Sequence, residues 1–164
     1  CVDWKTEPEQ RNLAPVYAKG GFTFRVPANA NLRIVRWGVP QGEGKLSFPG
    51  SGMQVAPPFI AEMAVAWAAL YAGKSVVLEA FDGSGRKVGE ASSPPAQGTV
   101  HRLEVRAPGI ETLVISGGGN EGLLVRLCVY AGPEEPQGPS TPRPAKRSAA
   151  AETKAAKPRA AGKG

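Results

Sequence analysis

Side chains able to do chemistry are scarce in this chain: one His, two Cys and three Trp among 164 residues. His101 has no nucleophile elbow of the Gly-x-Ser-x-Gly kind to serve, so acyl transfer finds no motif. Glycoside hydrolysis would need two carboxyl groups facing each other across a cleft. The candidates Glu43, Glu62, Glu79 and Asp82 stand in unremarkable surroundings and read as solvated charges. The glycine run Gly117–Gly122 (GGGNEG) lacks the Lys-Ser/Thr of a phosphate-binding loop and leads into an alternating apolar segment, so it reads as a hairpin turn. Cys and His at zinc-site spacing are absent. An enzyme is therefore not expected.

Binding has better material. Sugar rings stack an apolar face on aromatic side chains, while their hydroxyls bond to acids, amides and guanidinium groups. Trp4, Trp37, Trp67 and Tyr71 could serve as such platforms, and the competing reading packs them into a core. Trp37 ends an alternating segment beside Gly38, where loops gather at the rim of a sheet, and Arg33 and Arg36 precede it. Trp37, Arg36, Trp67 and Tyr71 form the expected ligand set.

These residues need a scaffold, and the composition restricts it. Gly and Pro number 21 and 16, a load that excludes a helical bundle because these two are the poorest residues in a helix interior. Segments alternate instead. Gly21–Val26, Leu32–Trp37, Ser75–Phe81, Ile110–Ile115 and Leu123–Tyr130 read as strands between Gly-, Pro- and Asn-rich turns, with short strands at 45–48 and 52–55. Residues 59–72 suit a helix by their alanines, but a strand over 63–71 is favoured, because a hairpin through Ala72-Gly73-Lys74 would set it beside 75–81. The stretch 99–106 alternates only if a bulge sits near His101. In the last segment Leu123, Val125, Leu127 and Val129 are expected on one face. No strand–helix–strand rhythm points to a parallel sheet, and no apolar run is long enough for a membrane-spanning helix.

The net charge of +6 is unevenly placed. Residues 138–164 hold seven Lys and Arg against Glu152 alone, which leaves residues 1–137 neutral. That last stretch has no Val, Ile, Leu, Met or aromatic residue, so it cannot bury enough apolar surface to offset its ordering entropy. It is expected to be a disordered basic arm: a spacer, a contact for polyanions, or a tether into a larger assembly.

CVDW at the start, AFDGSGRKVG in the middle and HRLEVRAPGIETLVISGGGNEGLLVRLCVY at the end resemble the galactose-binding-like jelly-roll sandwiches. The resemblance spans most of residues 1–131 and implies an all-β antiparallel β-sandwich (jelly roll) of about eight strands, followed by a Pro/Ala/Lys-rich tail over 132–164. It further implies that first and last strands are neighbours. In that case Cys1 and Cys128 come close enough for a disulfide, which would favour an oxidising compartment. Two free thiols, with Cys128 packed as a small hydrophobe, are the alternative. No cofactor is expected, a structural calcium on Asp3, Glu7 or Asp82 apart. The expected role is non-catalytic binding or adhesion, foremost of a glycan, at an extracytoplasmic or particle surface. A structural or accessory subunit of a larger assembly, tethered through its basic tail, is the alternative.

Overall fold

The computed structural model describes residues 1–13, 15–70 and 74–132. Two antiparallel sheets face each other. The first holds seven strands, β1 (Val2–Asp3), β2 (Gln10–Leu13), β5 (Leu32–Val35), β6 (Lys45–Pro49), β8 (Ala61–Leu70), β11 (Val100–Ile110) and β13 (Glu121–Tyr130). The second holds six, β3 (Val16–Lys19), β4 (Phe22–Arg25), β7 (Met53–Ala56), β9 (Val76–Phe81), β10 (Lys87–Ser92) and β12 (Thr112–Gly117). The first runs β11-β8-β13-β6-β5-β2, with β1 alongside β13; the second runs β10-β9-β12-β7-β4-β3. The segments thus outnumber the eight expected. Three of the additional ones, β1 to β3, come from the first nineteen residues, where hydrophobic alternation is weak. No helix among the described residues is long and apolar enough to cross a membrane.

The core follows from alternation. Phe22 and Phe24 of β4, Leu32 and Ile34 of β5, Met53 and Val55 of β7, and Leu78 and Ala80 of β9 all point between the sheets and are buried. Trp4 sits wholly inside, edge-on to Phe24 at 5.5 Å between ring centroids, so it is a core residue and not a platform. Fully burying side chains of this kind is worth roughly 1.5–3 kcal/mol each, and that is what holds the two layers together.

Four local expectations are corrected. β8 is a strand, but it does not form a hairpin with β9: it pairs with β11 on one side and β13 on the other, while β9 lies in the opposite sheet. Both of its ladder edges are occupied, which leaves none for β9. The glycine run is likewise no hairpin turn, since it carries the chain from β12 in one sheet to β13 in the other. Gly117, Gly118 and Gly119 all have positive φ (88°, 77° and 88°), and a Cβ on Gly117 would lie 2.1 Å from the Ser75 carbonyl oxygen. No bulge occurs at His101. The register of β11 against β8 is continuous from Val100 to Arg106 and shifts only before Ile110. His101 falls on the core-facing side, at the end of the sandwich, with its Nε2 3.0 Å from the Ala96 oxygen. Finally, β13 carries a bulge between Leu124 and Arg126. Leu124, Leu127 and Val129 therefore face the core, while Leu123 packs on the outer side with Val35 and Ala69.

Cys1 and Cys128 are disulfide-bonded, 127 residues apart in the chain. The bond sits where β1 lies alongside β13, with Val2 opposite Leu127 and Asp3 opposite Arg126.

Candidate functional site

On β5, Leu32 and Ile34 take the core, so Arg33 and Val35 must point outward, and the chain then turns at Trp37 and Gly38. Trp37 keeps 39% of its surface exposed, an unusual retention for so large an apolar group. It stands at one end of an open cleft of about 500 Å³ on the outer side of the β2–β5 edge. The lining is otherwise polar: Glu9, Gln10, Arg11, Asn12, Asn31 and Arg33, over Ile34 and Val35. Asn31 is fixed by donating from Nδ2 to the Arg11 carbonyl (3.0 Å) and to Asn12 Oδ1 (2.6 Å). The Arg33 guanidinium pairs with Glu121, whose carboxylate also accepts from the Ser47 hydroxyl. The cleft therefore offers one aromatic face and several anchored hydrogen-bonding groups.

The Trp37 loop is held from two sides. The Arg36 backbone N–H donates to Glu9 Oε1 (3.1 Å), and its Nη1 donates to the Glu7 carbonyl (3.0 Å). Arg36 thus braces the loop against the β1–β2 connection and does not line the cleft. Below the loop lies Lys45, fully buried, its ammonium donating to the Pro40 carbonyl and, at 2.6 Å, to the Glu43 carbonyl. Burial pushes its pKa below the ordinary lysine value; nearby Glu43 opposes that shift and Arg36 adds to it. Gly38, at φ 77°, lets the chain press onto the sheet, since a Cβ there would reach 2.8 Å from Leu123.

Trp67 is elsewhere on the same sheet. It projects outward from the middle of β8 with Arg102 of β11 and Arg126 of β13 as its cross-strand neighbours. Their guanidinium carbons lie 5.9 and 5.5 Å from its ring centroid, both within cation–π range. Trp67 is accordingly neither a core residue nor part of the Trp37 cleft. Arg102 and Arg106 share Glu104, whose pKa is drawn below the ordinary carboxylate range by Arg106 first and then Arg102. Tyr71 lies outside the described residues.

The calcium candidates are not brought together. Asp3 belongs to β1 of the first sheet and Asp82 to the β9–β10 turn of the second. Asp82 is engaged in that turn: Oδ1 accepts from Ser84 and from the Arg86 N–H, and Oδ2 from Arg86 Nε. Its pKa is lowered, chiefly by the Ser84 hydroxyl. Among the described residues no group of three or more His, Cys, Asp or Glu could hold a metal ion. What the sequence left unflagged is the polar rim, Glu9 to Asn12 with Asn31, Asn120 and Glu121. Only the outward parity of Arg33 with Trp37 hinted at it.

Two facing antiparallel sheets with an open polar cleft beside one sheet edge define an all-β sandwich. The particular resemblances are distant. An arabinose-bound GH51 α-L-arabinofuranosidase matches with a TM-score of 0.51 and 12% identity, over 78% of this chain and 25% of that enzyme's. A family 61 carbohydrate-binding module in complex with β-1,4-galactotriose matches with a TM-score of 0.43 and 15% identity, over 75% of this chain and 100% of the module. The chain thus spans about a quarter of the enzyme's length. No family profile matches the chain, and no curated protein does.

Proposed function

We propose that this sandwich is a non-catalytic glycan-binding domain and that the saccharide docks in the cleft beside Trp37. The observation that carries this reading is the partly exposed indole in a cleft lined besides by amide, guanidinium and carboxylate groups over Ile34 and Val35. Such a site matches the two sides of a sugar, an apolar ring face and a periphery of hydroxyls. The chemistry for hydrolysis is not gathered there: the sole His of the chain is on β11, at the opposite edge of the sheet from β2, and Glu9 is the one carboxylate lining the cleft. An extracytoplasmic or particle-surface setting accompanies this reading, because disulfides persist in oxidising surroundings. A glycan array followed by calorimetry on the best ligand tests it. Trp37→Ala is expected to weaken binding at least about tenfold, near 1.4 kcal/mol, while Trp67→Ala leaves it within about twofold. Absence of saccharide binding across the array, or equal loss in both variants, would overturn it.

A second reading, an accessory subunit docked on another protein, is favoured by one feature. Phe59 and Ile60, adjacent on the β7–β8 connection, are 45% and 60% exposed. Neighbouring large apolar side chains in water suit a covered contact. If it holds, Phe59→Ser/Ile60→Ser abolishes recovery of the partner in a cross-linking experiment, and removal of the basic residues 138–164 weakens it.

A further inference from the structure

The Trp37 cleft has a neighbour. A second open cleft of about 340 Å³ is lined by Asn31, Arg33, Pro49, Asn120 and Glu121. Asn31 and Arg33 line both, so the two clefts adjoin along one strand. Strand geometry explains why. Arg33 and Val35 share the outer face of β5, Asn31 leads into the strand and Trp37 follows it, and all four line the first cleft. From Asn31 to Trp37 the chain spans at most about 20 Å, several times the width of one pyranose ring. The far end is built by β6 and β13: Pro49 lies opposite Glu121, and Ser47 lies opposite both Leu123 and Arg33.

Resting on the reading of the Trp37 cleft as a saccharide site, we infer that the ligand is a linear oligosaccharide lying along β5, and that Asn120 and Glu121 form a second subsite beyond the one at Trp37. Arg33 sits between the subsites with its guanidinium oriented by Glu121. It can donate to a hydroxyl on either side of one glycosidic linkage. The Glu121 carboxylate, which already accepts from Arg33 and Ser47, is held by these two partners at the groove floor. Its acceptor geometry is set before any ligand arrives, which favours discrimination between sugar epimers at that position.

Calorimetry with homo-oligosaccharides of increasing length tests this, using β-1,4-linked gluco-, galacto-, manno- and xylo-series from one unit to six. Affinity is expected to climb at least tenfold between the shortest member that binds and a member of three or four units, then to level off. Asn120→Ala is expected to weaken the longer members about fivefold or more and the shortest far less, whereas Glu121→Gln, which also releases Arg33 of the Trp37 cleft, weakens all lengths. Trp37→Ala weakens all lengths alike. Circular dichroism melts of each variant separate loss of a contact from loss of the fold, and Asn120→Ala covers the case in which Glu121→Gln destabilises β13. Length-independent affinity, or equal weakening of short and long members by Asn120→Ala, would overturn the two-subsite groove and leave the Trp37 reading intact. No saccharide binding at any length removes both.

Discussion

The ammonium of Lys45 sits under the loop that carries Trp37, satisfied by carbonyl oxygens of that same loop. A buried charge is tolerated only where hydrogen bonds replace water, so this one side chain ties the loop to β6. Lys45→Ala should strand both carbonyls and leave a cavity, costing about 2–4 kcal/mol of stability by analogy with lost buried bonds and truncated core chains. A pH dependence follows as well. Because the folded-state pKa lies below the ordinary lysine value, the unfolded chain binds this proton more tightly than the folded one. The contribution of Lys45 to stability is therefore full above the ordinary value and declines as pH falls through the lowered one. Denaturant titrations of wild type and Lys45→Met as pH rises toward the ordinary lysine value, about 10.4, should show the wild type gaining on the variant. A gap independent of pH would mean that the ammonium is not desolvated. Position 45 was legible in the sequence as part of a strand, but its burial was not. A lysine reads as solvent-facing wherever it occurs, and only the fold reveals a loop folded over it.

Whether two neighbouring strands pair or part is decided by what occupies their edges and by the backbone that joins them. Alternation in the sequence located β4, β5, β9, β12 and β13 without ambiguity, since Phe22/Phe24, Leu32/Ile34 and Leu78/Ala80 repeat with the period of a pleat. The partner of each strand was not legible, because a turn that closes a hairpin and one that crosses between sheets draw on the same residues. Gly117–Gly119 illustrates this. A run of three positive φ angles, with Gly117 packed on the Ser75 carbonyl, belongs to a crossing. Gly117→Ala should accordingly cost more than about 2 kcal/mol, combining the left-handed penalty with a main-chain clash. Gly109 also has positive φ (74°), but open space surrounds it, so Gly109→Ala should cost only the conformational part, roughly 1 kcal/mol. Chemical denaturation of the pair measures the difference. Equal losses would show that the approach of Ser75 does not matter. The candidate site divides along the same line: Trp37 was readable from its place at the end of an alternating run, whereas Asn120 and Glu121 join it through strand order alone.

At the scale of the molecule, the two ends of the described sandwich are joined covalently. β1 is two residues long and, among the described residues, pairs with β13 alone, too little ladder to hold the first residues by itself. The Cys1–Cys128 bond fixes it there and closes a loop of nearly the whole sandwich. That anchoring reaches the site, because the segment after β1 supplies Glu7 and Glu9, which receive Arg36 and so brace the Trp37 loop. Loss of the bond should then act in two ways. In the chain-entropy account a loop of this length is worth roughly 4–5 kcal/mol, so Cys1→Ser/Cys128→Ser should unfold at a markedly lower denaturant concentration. Below that transition, with the sandwich still folded, freeing β1 should loosen the Glu7–Arg36 and Glu9–Arg36 contacts and raise hydrogen exchange in residues 36–44. Exchange at β9 and β12, in the opposite sheet, should stay as in wild type under the same conditions. Exchange that rises uniformly in both sheets would show that the disulfide supports only global stability. Exchange unchanged at 36–44 would show that the loop is held from β6 and Lys45 alone.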